Sequence, residues 1–190
     1  MSQKILTYAE SLTYMKSINP GTSLPNVLGR VIKAKTVYVA GASLGLAANN
    51  GQLVIPSMVP EVGVTNFPKG NTLPKGVNWL VYGVRAMFET TADKTVKDAA
   101  WKSEAPVNWK NCEFKISQNG QGVLFESSGT DITNFKASTG NDDEFREVVP
   151  FLIRSESPYS IETQLSSAGL VAQLYKIELR VIEFIESDKA

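Results

Sequence analysis

The sequence predicts an all-β protein, an antiparallel β-sandwich preceded by a short N-terminal helical arm. Three observations carry that expectation. Runs of β-branched and aromatic residues recur along the chain between turn residues. An Asn119-Gly120 pair separates two such runs. Helical spacing of apolar residues is found chiefly at the N-terminus.

The arm is residues 1–26 and the sandwich 27–190. In the arm Ser2 can cap a helix whose Ile5, Leu6, Leu12 and Met15 fall near one face, and Asn19-Pro20-Gly21 stops it. Val31-Ile32 and Thr36 to Val39 suit strands, Gly41 to Gly51 suits a loop, and Gln52 to Pro56 a short strand. Two Pro-Lys-Gly tripeptides at Pro68 and Pro74 precede the strongest strand, Val77 to Thr90. Its Leu80, Tyr82, Val84, Ala86 and Phe88 form one alternating set. Both sets are largely apolar, so the strand is expected centrally, with both faces covered near its start. A short helix is expected around Asp93 to Trp101. Cys112, Phe114 and Ile116 alternate with polar residues, and Asn119-Gly120 predicts a two-residue type I′ turn before the return strand Gln121 to Glu126. Phe145 to Ser155 contains Pro150, which places it at an edge or on a bulge. Ile161 to Leu165 and Leu174 to Glu186 complete eight or nine strands. In the last of these the apolar set passes from Tyr175, Ile177, Leu179 and Val181 to Ile182 and Phe184, which predicts a bulge or an end covered on both faces.

The 190 residues include one cysteine, Cys112, and no histidine. A disulfide framework within the chain, Ser–His–Asp and Cys–His catalysis and HExxH metal chemistry are therefore excluded. No Walker loop or GxGxxG is present. The expectation is a protein that is not an enzyme, with no catalytic, cofactor-binding or metal-binding residues. No apolar run approaches a membrane span, and the N-terminus is unlike a signal peptide, so synthesis in the cytosol without export is expected. The formal charge is zero, yet Met1 to Gly140 carries 14 Lys+Arg against 9 Asp+Glu, and Asn141 to Ala190 carries 5 against 10. Such a gradient can draw one end of a copy to the other end of its neighbour; two oppositely tinted solvated faces are the plainer reading.

Each remaining chemical candidate has a plainer reading that outweighs it. Asn141-Asp142-Asp143-Glu144 offers oxygen ligands for calcium but lacks EF-hand spacing, and reads as an exposed loop tip. Glu113, Glu126 and Asp131 could form a glycosidase pair only if two of them met across a cleft. Trp79, Trp101 and Trp109, with Tyr38, Tyr82 and Tyr159, could stack on sugars, although core or interface burial is the commoner fate. Lys4, Lys16, Arg30, Lys33 and Lys35 could contact nucleic-acid phosphates, but their density is low.

The layout of Glu147 to Glu186, together with VNWLVYGVRAMFET and the arm, resembles the jelly-roll capsid proteins of icosahedral viruses, particularly tailless bacteriophages. The resemblance implies a single jelly-roll-like sandwich and a non-catalytic capsid or vertex subunit. It further implies a virion location after synthesis in the host cytoplasm. The implied partners are copies of itself and other virion proteins. The alternative is a carbohydrate-binding or adhesion module on the same kind of sandwich. Ile5, Leu6, Leu12 and Met15 are the expected self-assembly stripe of the arm, because an isolated helix of this length is marginal in water and its apolar face must be covered.

Overall fold

A computed structural model describes residues 10, 13, 14, 17, 30–44, 46, 51–133 and 145–186. Among these residues eight strands form two four-stranded antiparallel sheets. They are β1 (Arg30–Ala42), β2 (Gly51–Gln52), β3 (Val77–Glu89), β4 (Glu113–Gln118), β5 (Gly122–Ser128), β6 (Arg146–Ile153), β7 (Tyr159–Gln164) and β8 (Leu174–Glu186). Two single-turn helices, α1 (Val107–Lys110) and α2 (Gly129–Ile132), lie in the connections. One sheet has the order β1-β8-β3-β6 and the other β2-β7-β4-β5.

The pairing is nested. β4 pairs with β5, β3 with β6, β2 with β7 and β1 with β8. The chain therefore doubles back at the β4–β5 turn, and successive pairs going outward from that turn are dealt alternately to the two sheets. The inward faces of the two sheets are apolar and meet in one core. Three aromatic groups tie the layers together. Phe67, Trp79 and Tyr159 lie with ring centroids 5.5, 6.1 and 6.4 Å apart. Trp109 contacts Phe88 at 5.2 Å and Tyr175 at 5.3 Å. Phe125 contacts Phe114 at 6.2 Å and stacks on Phe151 at 5.9 Å. Three buried polar tips have partners: Trp79 Nε1 donates to Glu183 (2.9 Å), Trp109 Nε1 to Ser43 Oγ (3.0 Å) and the Tyr159 hydroxyl to the Gly70 carbonyl (3.1 Å).

The β3 alternation is broken where the sequence predicts it to run on. Val81 pairs with Val181 and Gly83 with Arg180, so Tyr82 is an extra residue opposite β8. Trp79 and Val81 face the core before the bulge, and Val84, Ala86 and Phe88 face it afterwards. Leu80 and Tyr82 thus point to the opposite face. β8 carries no phase change. Tyr175 to Val181 face inward in strict alternation, and Ile182 and Phe184 belong to the outer phase, covered at that end. Pro150 combines both expected features: β6 is an edge strand, and Val148, Val149 and Pro150 together oppose the single residue Tyr82.

Other expectations shift. Asp93 to Trp101 forms turns in place of a helix, with Asp93 at φ 62°. Glu89 accounts for this by taking the N–H groups of Thr90, Thr91 and Ala100, at 2.8–2.9 Å, into its carboxylate. The strand expected over Gln52 to Pro56 is limited to β2, Gly51–Gln52. β1 extends through Gly41 and Ala42, where a loop is expected. Its outer edge is closed by the loop that follows β2: Asn66 accepts from Tyr38 N–H (2.7 Å) and donates to the Thr36 carbonyl (2.9 Å), and Ala40 N–H bonds the Val64 carbonyl (2.7 Å). This removes part of an open ladder edge. Glu10, Thr13, Tyr14 and Ser17 are helical. Ile5, Leu6, Leu12, Met15, Lys4, Lys16 and the acidic run Asn141 to Glu144 lie outside the described residues.

The β4–β5 hairpin is present in the expected pairing, but its turn has another form. Gln118 pairs with Gly122, which leaves Asn119, Gly120 and Gln121 as a three-residue connection. Gly120 takes φ 79° and Gly122 φ 80°, whereas Asn119 is absent from the non-glycine residues with positive φ, so the type I′ pattern does not apply. A Cβ at Gly120 would meet nothing within 4 Å, so a substitution there probes backbone strain alone. Gly120→Val is expected to cost about 1–2 kcal/mol, read as a lower urea midpoint at unchanged m-value. An unchanged midpoint would contradict the turn geometry.

Candidate assembly face

The outer surface of the β1-β8-β3-β6 sheet is the part of the molecule whose chemistry exceeds what folding a sandwich requires. Its residues come from the outward phases of β1, β3 and β8 and from the approach to β6. The Tyr82 bulge divides it into a polar half and an apolar half.

The polar half is built on charge–aromatic contacts. Phe145 lies beneath two guanidinium groups, with Arg85 4.4 Å and Arg180 4.2 Å from its ring centre. Gly83 lies beside it: a Cβ there would stand in ordinary contact, 3.4 Å from that of Phe145 and 3.5 Å from that of Arg180. Arg85 binds Glu178 through Nε (2.9 Å) and Nη2, and Lys176 reaches the same carboxylate at 2.7 Å. Lys176 also lies 4.8 Å from the Tyr38 ring and 6.0 Å from that of Trp101. Burial works to raise the Glu178 pKa, but hydrogen bonds from Lys176 and Arg85 outweigh it and the net shift is downward. Glu89 is held ionised, its pKa lowered to about 2, first by its bonds to Thr91 and then by that to Ala100. Through Ala100 it fixes the chain beside Trp101.

The apolar half consists of Leu80, Tyr82, Leu152, Ile182 and Phe184, all nearly inaccessible to solvent. Such a cluster on the outer face of a sandwich needs a cover, and Tyr14 of the arm packs against it. The Tyr14 hydroxyl donates to the Pro150 carbonyl in the β6 bulge. Burial raises the pKa of the Tyr14 hydroxyl. Tyr14 and Glu10 are half-buried, one helical turn apart, while Thr13 and Ser17 are exposed.

The structure places the chemical candidates that the sequence raised. Glu113 and Glu126 lie exposed on the other sheet, and Lys115 pairs with Glu126 in register and approaches Glu162 at 3.5 Å. Asp131 is exposed on α2 and accepts from Ser127 at 3.2 Å. Among the described residues no three His, Cys, Asp or Glu side chains gather as a metal site. Trp79 and Trp109 are fully buried and Trp101 is half-buried, so the three form no sugar platform. Cys112 is buried, and burial raises its thiol pKa. Nor does the charge gradient remain wholly available to neighbours: Glu178 and Glu183 pair with Arg85 and Lys35 inside the chain. Sequence reasoning missed Tyr14 and its socket. Their signal was the apolar character of both phases at the start of β3 and the end of β8, where Leu80 pairs with Ile182.

No family model matches the sequence, and no curated protein matches it. Among solved structures, the chain is similar to one described as "Cyanophage Pam1 capsid asymmetric unit", at 12% identity and TM-score 0.39, over 86% of this chain and 91% of that one. No helix among the described residues is long and apolar enough to cross a membrane.

Both anchoring glutamates have folded pKa values below the 4.5 of the free side chain. Their contribution is therefore complete above pH 4.5 and is lost as pH falls through the lowered values, for Glu89 toward pH 2. Glu89→Gln should be less stable than the parent at pH 7, with the gap closing between pH 4.5 and 2 in urea titrations. A gap that stays constant with pH would contradict the assignment.

Proposed function

We propose that the protein is a virion structural subunit, a capsid or vertex protein of the tailless-bacteriophage kind, built on a single jelly roll. It assembles with copies of itself and catalyses no reaction. The observation that carries this reading is the strand order, β1-β8-β3-β6 against β2-β7-β4-β5, with its four nested pairs. Eight strands paired in this way support the jelly-roll reading, a fold used for viral shells and for lectins.

The surface favours the shell over the lectin. Val62, Val149 and Val171 are 90%, 81% and 75% exposed, and Leu44, Val59, Val107 and Leu170 are also exposed. Apolar surface of this kind marks contact with other protein when it gathers in patches. Leu44 bridges to Gly169, beside Leu170 and Val171, so these residues share one end of the sandwich. That loop is firmly held: Gln173 Oε1 accepts from Leu170 N–H (3.3 Å) and Asn108 Nδ2 (3.0 Å), and a Cβ on Gly169 would lie 1.7 Å from the Ser43 carbonyl oxygen. A rigid loop that presents aliphatic side chains is suited to a dry contact with protein and poorly suited to sugar hydroxyls.

Light scattering and electron microscopy of the purified full chain test the proposal. Closed particles or rings of one discrete mass are expected. A monomer at every concentration that binds glycans would establish the adhesion module instead. A hydrolytic activity abolished by one acidic substitution would overturn the non-catalytic part.

A further inference from the structure

We propose that the uncharged end of the sandwich, where Leu44, Val107, Leu170 and Val171 stand exposed, is a contact at which two copies meet about a two-fold axis, with Val171 near the axis. The inference rests on the self-assembly reading and names the partner of that end. Three segments build it, residues 41–46, 105–109 and 165–173. Hydrogen bonds stitch them together. Ser43 N–H donates to the Gln173 carbonyl (2.7 Å), Gly169 N–H to the Leu46 carbonyl (3.2 Å), Ser166 N–H to the Asn108 carbonyl (3.4 Å) and Trp109 Nε1 to Ser43 Oγ (3.0 Å). The four aliphatic side chains on this frame are each more than half exposed.

Charge decides what can cover this end. A fifth of the chain is charged, yet the twenty residues of these segments include no Lys, Arg, Asp or Glu. In a two-fold contact the same surface is presented by both copies, so a charge near the axis faces its own twin. An uncharged aliphatic surface meets its copy without that repulsion. A lipid bilayer suits it less, because these segments carry no Lys or Arg for headgroups and their one Trp, Trp109, is fully buried.

The end is also preorganised. The Leu170 carbonyl accepts from Gln173 N–H (3.3 Å), closing a turn with Val171 and Ala172 at its centre. Ala172 holds φ 67°, a left-handed conformation that glycine takes without strain. Leu170 and Val171 are thereby fixed outward, and a surface fixed before contact loses little freedom on association.

Sedimentation of the full chain tests the contact through two charges of opposite sign. Val171 is 75% exposed, so Val171→Asp and Val171→Lys leave the core untouched. Each variant alone is expected to associate at least about 10-fold more weakly than the parent, because like charges then meet across the axis. An equimolar mixture of the two should recover association, since Asp then faces Lys. Loss in each variant without recovery on mixing would overturn the self-contact, as would flotation of the parent with neutral phosphatidylcholine vesicles. A parent that forms particles which Val171→Asp forms equally well overturns the contact and leaves the shell reading standing. A parent that forms only a dimer, broken by either charge and restored by mixing, upholds the contact and removes the shell reading. A parent that is monomeric at every concentration overturns both.

Discussion

One extra residue, Tyr82, governs the rest of the architecture. An uninterrupted β3 would keep Leu80 and Tyr82 in the same phase as Val84, Ala86 and Phe88 and would put Trp79 on the outside. The bulge instead lets the first half of the strand send Trp79 and Val81 inward while the second half sends Val84, Ala86 and Phe88. Trp79 can then meet Phe67 and Tyr159 across the sandwich and hand its indole proton to Glu183. The residues displaced to the far side become the floor on which Tyr14 rests. Core and outer socket are thus two consequences of one local irregularity in a central strand. Bulges sharpen strand twist and re-aim side chains, and both effects are at work here.

Much of this was legible in the sequence. Strand content follows from β-branched and aromatic runs, and β8 spans the residues that its pattern indicates. The hairpin position follows from Asn119-Gly120, although the turn itself depends on backbone angles that the dipeptide does not dictate. What alternation cannot reveal is where a phase break lies when both faces are apolar. β3 reads as one regular set because Leu80, Tyr82 and Val84 are all suitable core residues, and only pairing with β8 shows that Tyr82 has no opposite number. The end of β8 has the opposite outcome: its change of apolar set reflects cover on both sides of a regular strand.

Long-range polar contacts were equally hidden. The helix expected over Asp93 to Trp101 loses to the Glu89 carboxylate, which offers three backbone donors a partner that a short isolated helix could not replace. The excess of acid in the last quarter of the chain looks like a free electrode in the sequence. In the fold β8 lies between β1 and β3, so Glu178 and Glu183 are brought to Arg85 and Lys35. Nested pairing of first strand with last thus places two acidic residues of the final segment in ion pairs within the chain.

The two-faced character of β3 can be observed directly by nuclear Overhauser contacts in the labelled chain. Trp79 ring protons should show contacts to Phe67 and Tyr159, and Val84 should share the inner environment of Leu179 and Ile116. Leu80 methyl groups should instead contact Phe184, Leu152 and Tyr14. If Leu80 and Val84 reported the same inner partners, the strand would alternate without a break and the account of both core and socket would be wrong.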